Sequence, residues 1–268
     1  MPDDLTAGER AGRSLSFTRI AAEYDATRGG DERGRRHATL VAPFLDTAKW
    51  VLDVGAGTGT VASGLTQLGF TVRGIDLSHA MLTSARARIG TSVVVADASR
   101  LPMRSASIPQ AMSVWFLHLV GDIGVVMAEL ARVLRPGGRW VIVLAGGEPP
   151  GDGESDVIAE LTAPLEQSLG GLSGSGPRPS RERIAVSAAA AGLSVETMET
   201  ADPAVYEESP AQAALNLERR VFSFCWGLDD AAYDRVVAPV VSALRALPDA
   251  NRPVRCRTRR DVIAVLRK

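Results

Sequence analysis

Gly55, Gly57 and Gly59 stand at alternate positions directly behind the mostly apolar run Trp50 to Val54. Glycine lets backbone approach a ligand closely or take φ > 0. A helix that starts there turns free N–H groups and its positive dipole end toward whatever is bound. Asp76 closes a second run, Thr71-Val-Arg-Gly-Ile-Asp76, twenty-one residues past Gly55. That is close to the spacing of about 20 for a carboxylate that accepts from ribose hydroxyls. The alternative for Asp76 is a helix N-cap, a role Ser78 could fill instead. A third run, Val93-Val-Val-Ala-Asp97, also ends in a carboxylate, followed by Ala98 and Leu101-Pro102. Two acidic strand ends in order behind a glycine loop point to a cofactor carrying a ribose and a base.

The elements that must position these groups read as an α/β fold. Strands are expected at 50–54, 71–76, 92–96, 111–116 and 139–145, with helices near 60–68, 78–88 and 122–134 between them. This alternation argues for a Rossmann-like, doubly wound, mostly parallel sheet with helices on both faces. Arg135-Pro-Gly-Gly138 ends the third of these helices, because proline cannot continue it. Beyond 145 two Gly/Pro/Ser-rich stretches, 146–153 and 170–179, bracket a helix near 154–169. A helix at 181–191 and a strand at 193–200 resume the rhythm. Residues 203–250 read as two or three helices and 255–267 as a final strand. The expected organisation is a helical lid segment at 1–44, the cofactor-binding core at 45–145, a flexible insertion at 146–180 and core again at 181–200. A helical lid insertion at 201–254 and the last strand at 255–268 complete it. Excursions that leave strand C-terminal ends sit where ligands bind, which favours lids over surface decoration.

Lys and Arg number 30 against 31 Asp and Glu, so no global positive field draws the chain to nucleic acid or an anionic membrane. No apolar run approaches the roughly 20 residues of a membrane helix, and Asp3, Asp4, Glu9 and Arg10 break any signal-peptide core. Cys225 and Cys256 fit reduced thiols, which with the rest places the protein in the cytoplasm. His37, His79, His118 and the cysteines show no metal-ligand spacing. The loop reads Gly-x-Gly-x-Gly-Thr over 55–60, not Gly-x-Gly-x-x-Gly, and no Ser-Tyr-Lys-like set accompanies it. A nicotinamide oxidoreductase is therefore the weakest reading.

Together, Val-Leu-Asp-Val-Gly-Ala-Gly-Thr-Gly (51–59), Gly-Ile-Asp-Leu-Ser (74–78), Met81-Leu82 with Ala85-Arg86, Asp97-Ala98 with Leu101-Pro102, and Leu130-Ala-Arg-Val-Leu-Arg-Pro-Gly-Gly138 resemble a class I S-adenosylmethionine-dependent methyltransferase. Ala22-Glu-Tyr-Asp-Ala-Thr-Arg28 resembles the Tyr-Asp-x-x-Arg element of that family's small-molecule branch, and Thr258–Val265 matches its last strand in position. The resemblance implies a seven-stranded sheet with an antiparallel last strand. It also implies S-adenosyl-L-methionine as cofactor, with S-adenosyl-L-homocysteine as product. Gly55, Ala56, Gly57 and Gly59 would line the methionine part and Asp53 would support its amino group. Asp76 would hold the ribose, and Leu77 and Met81 would pack on the adenine. Asp97 and the Ala98 backbone would read the adenine edge, and Tyr24 and Arg28 would close over the methionine end. Pro109-Gln110 departs from the family, which usually has an aspartate just before the fourth strand.

Methyl transfer is an in-line displacement, and orientation alone can lower its barrier by about 7–11 kcal/mol. The segment Val114-Trp-Phe-Leu-His-Leu-Val120 resembles the one facing the transferred methyl, and it lacks the Asn/Asp-Pro-Pro-aromatic signature of base amino-methyltransferases. His118 is a candidate general base; the alternative is a histidine packed beneath the cofactor. His37 and His79 read as helix-surface residues. Trp115, Phe116, Phe222, Phe224 and Trp226 are either an acceptor pocket or plain core, and the alternating Arg255, Arg257 and Arg259 read as a solvated strand face. The expected partner is a small-molecule acceptor, methylated on O, N or C and suited to secondary metabolism. A homodimer is the self-association to test. An RNA or protein methyltransferase is the alternative.

Overall fold

The computed structural model describes residues 24–27, 29–148, 157–169, 179–225, 228–257 and 260–268. The strands are β1 Val51–Val54, β2 Val72–Asp76, β3 Val93–Val95, β4 Ile108–Val114, β5 Leu134–Glu148, β6 Ser194–Thr200, β7 Val205–Glu208, β8 Val254–Arg257 and β9 Arg260–Arg267. After a helical turn at Tyr24–Thr27 the helices are α1 Gly30–Val41, α2 Thr60–Gln67, α3 His79–Ile89, α4 Ile123–Val133, α5 Val157–Leu169, α6 Arg181–Ala190, α7 Pro210–Glu218, α8 Asp230–Val236 and α9 Ala238–Arg245. The chain divides into two compact units. One holds the residues up to Leu144 with Pro179–Glu199 and Val262–Lys268; the other holds Ala145–Arg178 and Thr200–Asp261.

In the first unit seven strands pair in the order β3-β2-β1-β4-β5-β9-β6. The pairs β3–β2, β2–β1, β1–β4 and β4–β5 are parallel. β9 is the antiparallel strand: Lys268 at its end bonds Gly137 and Gly138 at the start of β5, and Asp261 at its start accepts from Ala201 beyond the end of β6. The sheet runs outward from β1 through β2 to β3, and the chain then returns to place β4 on the other side of β1. That reversal between β1 and β4 is the crevice where ligands bind in open α/β sheets. β1 is buried at every position and β4 at all but its last, as strands covered on both faces must be. Trp140, fully buried, donates its indole N–H to Ser113 Oγ at 3.0 Å. On α4 the apolar stripe Ile123, Val126, Met127 and Leu130 packs into this core. Asp122 caps its first turn by accepting from Gly124 N–H at 2.7 Å.

β4 begins three residues before the expected 111. Pro109 lies inside it at a register shift between Ile108 and Gln110, the place a strand tolerates a residue without an N–H. The departure at Pro109-Gln110 has a structural use. The buried Gln110 amide accepts from Asp46 N–H and donates to the carbonyls of Asp46 and Lys49, fixing the approach to β1.

The second unit has its own core, with Ile158 and Leu165 of α5, Leu217 of α7, Val237, Leu244 of α9 and Cys256 of β8. The segment read as two or three helices over 203–250 contains α7, α8 and α9 but opens with β7, which pairs antiparallel with β8. The stretch 255–267, read as one strand, therefore supplies two, β8 in this hairpin and β9 between β5 and β6 in the main sheet. Hairpin pairing across some fifty residues leaves no local pattern to read. Arg255 lies opposite Glu207 on the hairpin and is exposed, as a solvated face requires; Arg259 lies outside the described residues. Among the described residues no helix is long and apolar enough to cross a membrane.

Candidate functional site

The loop after β1 starts from paired bonds: Gly55 N–H and Ala56 N–H both donate to the Ile75 carbonyl at 2.9 Å. Gly55 takes φ 79° and Gly57 φ 55°, both left-handed. A Cβ on Gly55 would lie 2.4 Å from the Phe116 ring, so the turn after β4 fills that space. A Cβ on Gly57 would meet nothing within 4 Å. The middle of the loop is thus bare backbone beside open space at the sheet's crevice, a surface on which a ligand can lie.

Asp76, at the end of β2, accepts from Gly57 N–H through Oδ2 at 2.9 Å and from Ser78 N–H through Oδ1 at 2.8 Å. Ser78 Oγ caps α3 by accepting from Met81 N–H, so Asp76 is released from capping and holds the glycine loop instead. The Leu77 N–H also draws on this carboxyl, and of its roughly four acceptor positions at least one is left for a ligand hydroxyl. Burial pushes the Asp76 carboxyl above its ordinary range against the pull of those backbone N–H groups.

Asp53 is 2% exposed, and no donor among the described residues reaches its carboxyl. Burial first, and then the Asp76 charge, raise it from an ordinary 3.8 to about 7. The folded chain therefore keeps a proton here that the unfolded chain releases above about pH 4. This group's share of stability falls as pH rises from about 4 to about 7 and is constant beyond. A buried carboxyl without a donor is completed by a cation or a bound N–H.

A clasp binds the N-terminal segment to the loop. Thr58, itself buried, donates its hydroxyl to Asp25 Oδ1 at 2.6 Å. Arg88, from α3, donates to the Thr58 carbonyl at 3.0 Å and pairs with Asp25 at 2.8 Å and Asp31 at 3.0 Å. Reading Tyr24-Asp-Ala-Thr-Arg28 for its tyrosine and arginine missed Asp25, the member that joins the loop. Arg88 carries no sequence signal, because its partners lie 30 to 63 residues away. Arg28 lies outside the described residues.

The other candidate residues sit around the same strand ends. Leu77 is 41% exposed beside Asp76, whereas Met81 is enclosed at 1% and belongs to the packing beneath. Asp97 Oδ1 accepts from the Ser99 N–H and hydroxyl at 2.8 and 2.7 Å, which fixes its orientation in the turn with Ala98. β4 ends at Val114 because Trp115 takes φ 52°, an uncommon value for a bulky residue. The half-buried His118 follows in the 3-10 turn Leu117–Leu119. His79 is exposed at the start of α3, but His37 is not a surface residue. It is 1% exposed, its Nδ1 lies 2.8 Å from the Arg33 carbonyl, and its ring meets Trp115 edge-on at 4.9 Å. Phe222 and Phe224 stack at 5.3 Å in the second unit's core; Trp226 lies outside the described residues. No group of three metal-ligating side chains occurs among the described residues.

Residues 52–142 match the family model described as "Methyltransferase domain". The chain is 35% identical over 136 residues to the demethylmenaquinone methyltransferase of Thermobifida fusca, covering 47% of this chain and 58% of that protein. It is 32% identical over 176 residues to the malonyl-[acyl-carrier protein] O-methyltransferase of Geobacter sulfurreducens, covering 63% of this chain and 61% of that protein. The chain thus spans under two thirds of the length of these curated relatives. Among solved structures, the [4+2]-cyclase SpnF has a TM-score of 0.61 at 19% identity, with 95% of this chain and 94% of that one covered. Phosphoethanolamine N-methyltransferase 2 of Haemonchus contortus, in complex with phosphomonomethylethanolamine and S-adenosylhomocysteine, has a TM-score of 0.57 at 19% identity. It is matched over 100% of this chain and 61% of that one. Those two likenesses are likenesses of fold.

Proposed function

We propose that this chain, whose residues 52–142 match a model described as a methyltransferase domain, is a class I S-adenosylmethionine-dependent methyltransferase that transfers a methyl group from S-adenosyl-L-methionine to a small-molecule acceptor. The observation that carries the reading is the pair of carboxyls at the switch point. Asp76 is anchored to the glycine loop, and Asp53 is buried without a donor among the described residues. They suit a ribose diol and an ammonium group, two of the polar groups of this cofactor. Bound there, the cofactor supplies an electrophilic methyl on a sulfonium. Gly55, Ala56, Gly57 and Gly59 line its methionine part, and Asp76 holds the ribose. Leu77 offers an apolar face to the adenine, and the Asp97–Ala98 turn offers polar groups to its edge. Met81 supports that face from beneath.

Phe116, in the turn between Val114 and His118, fills the space beside Gly55, and Val114 and this turn are proposed to face the acceptor. His118 is the proposed general base where the acceptor nucleophile needs a proton removed. Within the first unit, the described segment from Gly30 to Phe44 is proposed as part of a lid, which would favour transfer by excluding water. Near-neutral charge supports a small acceptor over RNA, and a role in secondary metabolism belongs to the same proposal. Incubating the protein with deuteromethyl-labelled cofactor and a panel of quinone, phenolic, carboxylic and amine acceptors tests it by mass spectrometry. A labelled small-molecule product supports the reading; label found only in RNA or protein contradicts it.

The Asp53 contact makes a pH prediction. Below about pH 7 this carboxyl is protonated and offers no charge to the ammonium. Affinity for S-adenosylhomocysteine is expected to rise between pH 6 and pH 8, by up to about tenfold per unit below the transition. Asp53→Asn should flatten that profile in calorimetric titration. A profile unchanged by Asp53→Asn would place the ammonium elsewhere.

A further inference from the structure

Arg33 has a buried guanidinium N–H, Nη1, with no hydrogen-bond partner among the described residues. It sits on α1 one residue before Gly34, whose backbone lies so close to α2 that a Cβ there would fall 2.6 Å from the Thr60 carbonyl. Arg33 is thereby fixed where the glycine loop runs into α2. Its guanidinium carbon lies 4.9 Å from the Trp115 ring centroid and 5.5 Å from that of Tyr24. The two aromatic residues come from opposite sides of the sequence, one ahead of α1 and one directly after β4. Trp115 reaches its position through a left-handed backbone, and the buried His37 packs on it. Such strain persists only where surrounding structure enforces it.

Arg33 Nη1 is buried and makes no hydrogen bond, and no ion pair among the described residues includes Arg33. Of the carboxylates nearby in sequence, Asp25 and Asp31 both pair with Arg88, and the exposed Glu32 makes no ion pair with Arg33. A buried guanidinium N–H left unpaired is costly, and aromatic faces offset only part of that cost. A planar fork held by flanking rings is suited to a carboxylate, which meets two N–H groups at once.

We propose that Arg33 is a receptor for a ligand carboxylate beside the glycine loop. The assignment rests on the methyltransferase reading, which supplies two sources of that group: the amino-acid end of the cofactor, or a carboxylate on the acceptor. Either anion also offsets the repulsion between this guanidinium and a sulfonium bound nearby.

Calorimetric titration of the full chain, wild type, Arg33→Met and Arg33→Lys, separates the sources. The ligands are S-adenosylhomocysteine and 5′-methylthioadenosine, which shares the adenosine thioether but has no amino-acid end. Benzoate, titrated into protein saturated with S-adenosylhomocysteine and followed by tryptophan fluorescence, is the acceptor-side probe. If the cofactor is the source, Arg33→Met weakens S-adenosylhomocysteine about tenfold or more and leaves 5′-methylthioadenosine unchanged. If the acceptor is the source, both nucleosides bind Arg33→Met normally and benzoate affinity drops by a similar factor. Arg33→Lys keeps the charge without the fork and should show the same selective loss, smaller in size, even if the Met variant does not fold. The proposal is overturned if Arg33→Met loses affinity for neither S-adenosylhomocysteine nor benzoate. It is equally overturned if S-adenosylhomocysteine and 5′-methylthioadenosine weaken alike, which marks a structural role. Wild-type protein that binds neither nucleoside contradicts the methyltransferase reading itself.

Discussion

Asp76→Ala is expected to weaken S-adenosylhomocysteine binding by about 10- to 100-fold, the loss of hydrogen bonds to a charged acceptor worth roughly 1.5–3 kcal/mol. Two effects combine in that number. The ribose diol loses its acceptor, and Gly57 N–H loses the Oδ2 atom 2.9 Å away that holds the loop in place. Asp76→Asn separates them. An amide oxygen can keep one of the two backbone bonds, while the amide nitrogen can only donate, so its loss should fall between wild type and Asp76→Ala. The fold should survive both changes, because Ser78 caps α3 independently. Unchanged affinity in a folded Asp76→Ala variant would mean that the ribose lies elsewhere.

Gly55→Ala is expected to damage both stability and binding. At φ 79° a Cβ costs about 1–2 kcal/mol, and here it also lands 2.4 Å from the Phe116 ring. Either the loop withdraws from the Ile75 carbonyl or Phe116 and the turn carrying His118 shift. Overpacking of this kind costs about 1–3 kcal/mol more. The melting temperature should fall by roughly 5–15 °C, at about 2–4 °C per kcal/mol. S-adenosylhomocysteine affinity should fall at least tenfold even at temperatures where the variant is folded. Gly57→Ala provides the contrast, since its Cβ would meet open space and only the backbone strain remains. Equal effects from the two substitutions would show that Phe116 does not constrain the loop.

The core and the cofactor loop were legible because their signals are local. β1 is apolar but for Asp53, its glycines follow at once, and Asp76 and Asp97 each close a short strand-like run. Residues whose roles depend on distant partners were harder to see. Arg88 meets Thr58 and Asp25 only after the sheet has formed, and β7 exists only because β8 pairs with it. His37 was missed for a different reason. Gly34, His37, Ala38 and Val41 form the i, i+3, i+4, i+7 stripe of an amphipathic helix, and all are buried. The charged residues around that stripe disguised it. The end of β4 was also hidden: nothing in Val114-Trp-Phe says that Trp115 will leave the sheet with positive φ.

What the glycine loop and its two carboxyls hold is the central claim to test. Calorimetric titration of the full chain with S-adenosylhomocysteine and, separately, with NADH decides it. One S-adenosylhomocysteine per chain, with affinity lost in Asp76→Ala and no heat from NADH, is the expected result. Binding of NADH with no heat from S-adenosylhomocysteine or S-adenosylmethionine would contradict it.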